Sequence, residues 1–187
     1  MSDINFNRHH QPTKLDQNAN TNLDQDVNKS RLDKYHQRQN EIKTYLKDVL
    51  TPHFPQLFIN KFGQTDLNTI DLMEILKDGD ILCKLGSLIS NPANPCSKFK
   101  NSKIAFIQME NISFFLALCQ LIHLKHDEIF QTVDLYESKD PFQVIVTLMS
   151  FSRLANDINP GIFTYVIGPK PIKVKPSVPV KPYKLRS

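Results

Sequence analysis

Between residues 32 and 49, Leu32, Tyr35, Gln39, Ile42, Leu46 and Val49 recur at steps of three and four, a stripe with one polar gap. That spacing follows the helical period and predicts an amphipathic helix, which Pro52 and Pro55 would stop. Residues 67–90 place Leu72, Ile75 and Leu76 before Asp78-Gly79, and Ile81, Leu82, Leu85, Leu88 and Ile89 after it. This reads as a short helix, a tight turn and a second helix, because glycine accepts the left-handed conformation that closes the first. From 104 to 124, Ile104, Phe106, Ile107, Met109, Ile112, Phe115, Leu116, Cys119 and Ile122 fill one broad side, with Leu118 and Leu121 beside them. A helix apolar over most of its circumference is expected at the centre of a bundle. Gln108, Glu110, Asn111, Gln120 and His123 interrupt it and argue against a membrane span. Asp140, Pro141 and Gln143 have the spacing of a capping box, and Ile145, Leu148, Met149 and Phe151 supply the buried side of a last helix reaching about Leu154. No segment alternates at period two for long enough to be a strand. The fold class expected is all-α, with four main helices and short connecting ones.

The flanks differ from this middle. Residues 1–30 are rich in Asn, Gln and Asp with sparse apolar positions, and predict a disordered polar arm. Six of the twelve prolines fall between Pro160 and Pro182, which predicts an extended polyproline-type tail over 158–187. That leaves 31–157 as the domain, a size that suits a single core. The chain has no run of 18 apolar residues and a polar start, so neither a membrane span nor a secretory signal is expected, and the protein is read as intracellular. Cys83, Cys96 and Cys119 are odd in number, widely spaced and free of C-x-x-C, as befits reduced structural thiols.

Charge is unevenly placed. The chain carries a net charge of +4, yet 167–187 hold six cations (Lys170, Lys173, Lys175, Lys181, Lys184 and Arg186) and no acid, so the remainder is slightly acidic. A basic tail favours an acidic partner. Lys170, Lys173, Lys175 and Lys184 are therefore candidate contacts to an acidic filament. Lys173, Pro176, Pro179, Lys181, Pro182 and Leu185 also form two overlapping P-x-x-P units with flanking cations, the pattern an SH3 domain reads in a pre-extended chain. Lys98, Lys100 and Lys103, ahead of the 104–124 helix, are a second candidate cluster, set against an ordinary solvated loop. Arg31, Lys34, Arg38, Lys43 and Lys47 on the first helix read as a solvent face broken by Glu41 and Asp48.

Catalytic chemistry finds no support. G-x-x-x-x-G-K-S/T, G-x-S-x-G, H-E-x-x-H and G-x-G-x-x-G are all missing from the sequence, and only five glycines occur. No enzyme activity and no cofactor are expected. Cys119, His123 and His126 have ligand-like spacing, but a fourth ligand is not evident and no metal site is expected. With only Tyr183 available in the basic tail for stacking, nucleic acid is not an expected partner.

Two stretches carry a family resemblance. DLMEILKDGDILCKLGSLI (71–89) is similar to the L-x-x-x-L-x-D-G-x-x-L-C-x-L block of calponin-homology domains. Lys100-Asn101-Ser102-Lys103, Phe106, Gln108-Met109-Glu110-Asn111-Ile112, Phe130 to Glu137 and Lys139-Asp140-Pro141 resemble the calponin/transgelin subgroup, in a single-domain, fungal transgelin-like form. The likeness runs over about 32–157, with a trace in Val166-Ile167-Gly168-Pro169. It implies the calponin-homology fold, a non-enzymatic cytoplasmic role in the cortical actin cytoskeleton, and filamentous actin as partner, often with bundling. An SH3-domain protein of the actin cortex is the second partner expected, through the tail. The alternative is an adaptor whose domain binds a protein other than actin. Two departures stand out. The tryptophan usual in the family's first helix is replaced, with Thr44 or Tyr45 at its place, and the chain shows no calponin-type repeat, so either the tail or self-association must supply a second filament site.

Overall fold

The computed structural model describes residues 14–168, which contain seven α-helices and no strand. In chain order they are α1 (Lys14–Leu50), α2 (Leu57–Phe62), α3 (Leu72–Leu76), α4 (Asp80–Ser87), α5 (Ala105–Leu121), α6 (Thr132–Tyr136) and α7 (Pro141–Ile158). Single turns of 3-10 helix at Leu67–Thr69, Pro95–Lys98 and His126–Glu128 connect them. The four long elements are α1, α4, α5 and α7, as the apolar periods predict. Helix α1 packs on α7, and α4 on α5. Their shared core is built from Ile42, Leu46 and Leu50 of α1, Ile81, Leu82 and Leu85 of α4, Ile112, Phe115 and Leu118 of α5, and Ile145, Leu148 and Phe151 of α7.

The turn between α3 and α4 shows why its sequence is Asp-Gly. Gly79 has φ 73°, and a Cβ there would lie 2.7 Å from Asn111 Cβ and 2.8 Å from the Ile112 nitrogen. Both the conformation and the close approach of α5 therefore require glycine. Asp140 caps α7 by accepting from the Gln143 backbone N–H at 3.1 Å, but the Gln143 side chain donates to the Asp127 carbonyl instead of returning to the cap. Only half of the expected box forms.

Four expectations need correction. The first is the extent of the polar arm: residues 1–13 lie outside the described residues, while 14–30 belong to α1, helical from Lys14 through a stretch with no glycine or proline to break it. Residues 23–30 are nonetheless all exposed, consistent with their lack of core anchors. The second is Leu32, which is 48% exposed; the stripe that enters the core starts at Tyr35 and includes Tyr45. Of the two residues at the expected tryptophan position, Tyr45 is buried, packed edge-on against Tyr165 at 5.3 Å, and Thr44 is exposed.

The third correction concerns α5. It is buried along Ile112, Phe115, Leu118 and Cys119, but Ile104, Phe106 and Leu121 are exposed and Leu116 is only partly covered. Its apolar surface exceeds what the fold covers. The fourth concerns residues 158–168, expected to leave the domain. They double back as a strap whose Phe163 and Ile167 are fully buried in the same core. The strap is tied down where Ile167 N–H donates to Ser152 Oγ (3.0 Å), Tyr165 hydroxyl to Asp48 (2.9 Å) and Gly168 N–H to Glu41 Oε1 (2.9 Å). The packed unit thus extends to Gly168.

Candidate functional site

The loop before α5 presents the clearest binding surface. Lys98, Lys100 and Lys103 lie along it, all three exposed, and it hands over to Ile104 and Phe106, which are 65% and 68% exposed. Cations and two large apolar side chains thus share one ridge. An apolar patch framed by charge marks an interaction surface more often than an isolated exposed residue does. Ile104 and Phe106 read as core in the sequence because they fit the helical apolar pattern. No sequence signal separates a covered apolar face from an uncovered one.

A buried amide holds this loop in shape. Asn111, 1% exposed on α5, accepts from Lys100 N–H at 3.1 Å and donates to the carbonyls of Lys100 (2.9 Å) and Asp78 (3.2 Å). It therefore clamps the loop to the Asp78-Gly79 turn. Ser102 Oγ accepts from Ile104 N–H, and Gln108 Nε2 donates to the Ser102 carbonyl. A loop fixed in this way loses little further entropy when a partner docks. Lys100 also lies 3.6 Å from Glu110, and with the lysine side chain 63% exposed the pairing is weak.

Beside the ridge lies an open groove of about 1000 Å³ between α2, α4 and the loop. Lys84 stands between two rings there, 5.1 Å from the centroid of Phe54 and 5.5 Å from that of Phe99. It also pairs with Asp80 at 3.5 Å, while Lys61 pairs with Asp78 and with Asp80. The acids of the groove are thus matched by their own lysines, and Lys103 adds positive charge at the rim.

The other sequence candidates separate. Lys170, Lys173, Lys175, Lys184, Pro176, Pro179, Lys181, Pro182 and Leu185 lie outside the described residues. On α1, Lys43 is not on a solvent face. It is 4% exposed, with Nζ 3.4 Å from Asn40 Oδ1, and burial pushes its pKa down while Asp71 and Asp66 pull it back. Arg31 pairs with the Asp140 cap, Arg38 pairs with Glu41, and Lys47 is exposed. Cys119 is fully buried in the core, where desolvation raises its pKa, and His123 and His126 are exposed. Among the described residues no three His, Cys, Asp or Glu side chains converge as metal ligands, and no helix is long and apolar enough to cross a membrane.

Residues 36–157 match the calponin homology (CH) domain family, a span that holds the braced loop and stops short of the strap. Over 115 residues the chain is 45% identical to transgelin of Saccharomyces cerevisiae, covering 59% of this chain and 56% of that relative. Over 123 residues it is 37% identical to transgelin of Schizosaccharomyces pombe, covering 65% of this chain and 68% of that one. The first alignment therefore spans little more than half the length of the relative.

Proposed function

This chain belongs to the calponin homology family, and we propose that it is a non-enzymatic protein that binds, and bundles, actin filaments of the cell cortex. The observation that carries this reading is the ridge of Lys100, Lys103, Ile104 and Phe106 on a loop braced by Asn111. Lysines on the ridge attract an acidic filament from a distance, and the two apolar side chains gain their burial on contact. The docking unit in this reading is the domain of 31–157 with its strap to Gly168. The basic tail beyond it adds a second attachment, through Lys170, Lys173, Lys175 and Lys184, and offers its P-x-x-P units (Pro176, Pro179 and Pro182) to an SH3 domain.

Co-sedimentation with actin filaments tests the docking surface. The full chain is expected to pellet with filaments, less so as salt rises, because screening weakens the charged contribution. Phe106→Ser removes an exposed ring whose full burial would contribute about 1.5–3 kcal/mol, so it should weaken pelleting on the order of tenfold while the melting point stays put. Folded protein that stays in the supernatant at low salt would refute actin binding. It would favour the adaptor reading, with another protein on the same ridge.

A further inference from the structure

The first helix carries an apolar face that the described residues leave bare. Leu23 and Val27 are 63% and 50% exposed on the part of α1 that projects before the domain. At about 100° per residue, they fall within about 60° of Lys34 and Arg38. One side of α1 is thus apolar at its start and basic further on. Where it is basic it borders a groove of about 420 Å³ against α7, floored by Phe142, Val146 and Met149 and flanked by Lys34, Arg38 and Arg153, with Glu128 as the one acid, paired to Arg153 at 3.6 Å, so the rim is net positive. A smaller hollow lined by Asn28, Arg31 and Phe142 continues that groove toward the projecting segment. The segment from Leu23 to Asn28 carries Asp24 and Asp26 and no cation, opposite in sign to the groove's rim.

We propose that two copies of this chain associate through antiparallel α1 helices, each laying Leu23 and Val27 into the α1/α7 groove of the other. The numbering makes the fit reciprocal. With a two-fold axis between Ser30 and Arg31, Leu23 of one copy stands level with Arg38 of its partner, and Val27 with Lys34. Leu23 then reaches the partner's floor near Met149, which borders Arg38 in the strap region. Val27 reaches it near Phe142, whose ring lies 5.9 Å from Lys34 Nζ. Asp24 falls on the side of the helix that meets the partner's Arg38. Such an arrangement is isologous, the same patch serving both copies, and closes at two. Its apolar contacts are few, so the dimer is weak and reversible. The pairing deepens the filament reading, since a dimer presents two ridges and so supplies the second filament site, but it is measured without actin.

Sedimentation equilibrium of the full chain over a wide concentration range should show a monomer–dimer equilibrium that weakens with salt. Leu23→Asp with Val27→Asp changes only exposed side chains, and should raise the dimer Kd at least tenfold without altering the melt of the dilute monomer. Asp24→Arg and Arg38→Glu should each be monomeric alone, yet a mixture of the two should recover the dimer, because each then meets the opposite charge on its partner. A chain that stays monomeric throughout would overturn the proposal. So would dimerisation unaffected by L23D/V27D, or a failure of the mixed charge variants to recover it. None of these outcomes touches the co-sedimentation result, so the dimer can fail while filament binding stands.

Discussion

Asn111→Ala should injure the binding surface from inside the core. The amide is buried and touches no partner, yet it makes three hydrogen bonds, to Lys100 N–H, Lys100 carbonyl and Asp78 carbonyl. A net contribution of about 1 kcal/mol per bond gives about 3 kcal/mol in all. That is a substantial share of a total stability of roughly 5–15 kcal/mol. At roughly 2–4 °C per kcal/mol for a domain of this size, the midpoint should fall by about 6–12 °C. The released loop should also bind filaments more weakly, because the ridge must be ordered anew on docking. Asn111→Asp keeps the acceptor for Lys100 N–H but turns both donors into a carboxylate facing two carbonyls, and should be at least as harmful. Differential scanning calorimetry and co-sedimentation read the two effects separately. A midpoint within about 2 °C of the parent would show that water replaces these bonds freely, and that the loop is not braced as described.

Truncation distinguishes strap from tail. A chain ending at Asp157 loses Phe163 and Ile167 from the core and should be destabilised by several kcal/mol, on the order of 3 or more for the phenyl ring alone, whereas one ending at Gly168 should melt as the full chain does in thermal denaturation followed by circular dichroism. Alkali should unfold the domain: burial raises the pKa of Tyr35, aided by the adjacent Asp71 carboxylate that its hydroxyl donates to at 2.6 Å, and burial likewise raises that of Tyr45. Their folded pKa values lie above the unfolded value, so the stability they confer is fully present below about pH 10 and is lost as pH rises beyond it. Chemical denaturation at a series of pH values should show a decline confined to that alkaline range, and a flat profile there would contradict the burial of both phenols.

The long helices are legible in the sequence because each buries a stripe, and a stripe repeats. Ile42, Leu46 and Val49 of α1 or Ile145, Leu148 and Phe151 of α7 announce their period by spacing alone. The Asp-Gly turn is legible for a different reason, since few residues besides glycine adopt its conformation. The features that sequence reasoning misses have no period. The strap fully buries just two of its side chains, Phe163 and Ile167, in a stretch whose Pro160 and Gly161 look like a linker. The helical start of α1 has neither breaker nor anchor, so its composition suggests disorder. At the site, the lysines are visible as charge, but Ile104 and Phe106 are indistinguishable from core. Asn111 looks like a polar interruption of an apolar helix, and only its three partners reveal it as a clamp.

The strap also decides how the domain bears load. A pull applied at Gly168, the last described residue, acts first on its N–H, which is held by Glu41 on α1. The contacts behind it lie in series: Ile167 with its bond to Ser152, then Tyr165 with Asp48, then Phe163. Tension from that end meets them one at a time and peels them. A pull on the N-terminal end of α1 instead loads that whole helix, so that Tyr35, Ile42, Tyr45 and Leu46, all buried along it, resist together. Contacts that share a force withstand more of it than contacts that meet it in turn. The domain is therefore mechanically polar, yielding first at its C-terminal end, where release of the strap lengthens the tether before α7 carries any strain.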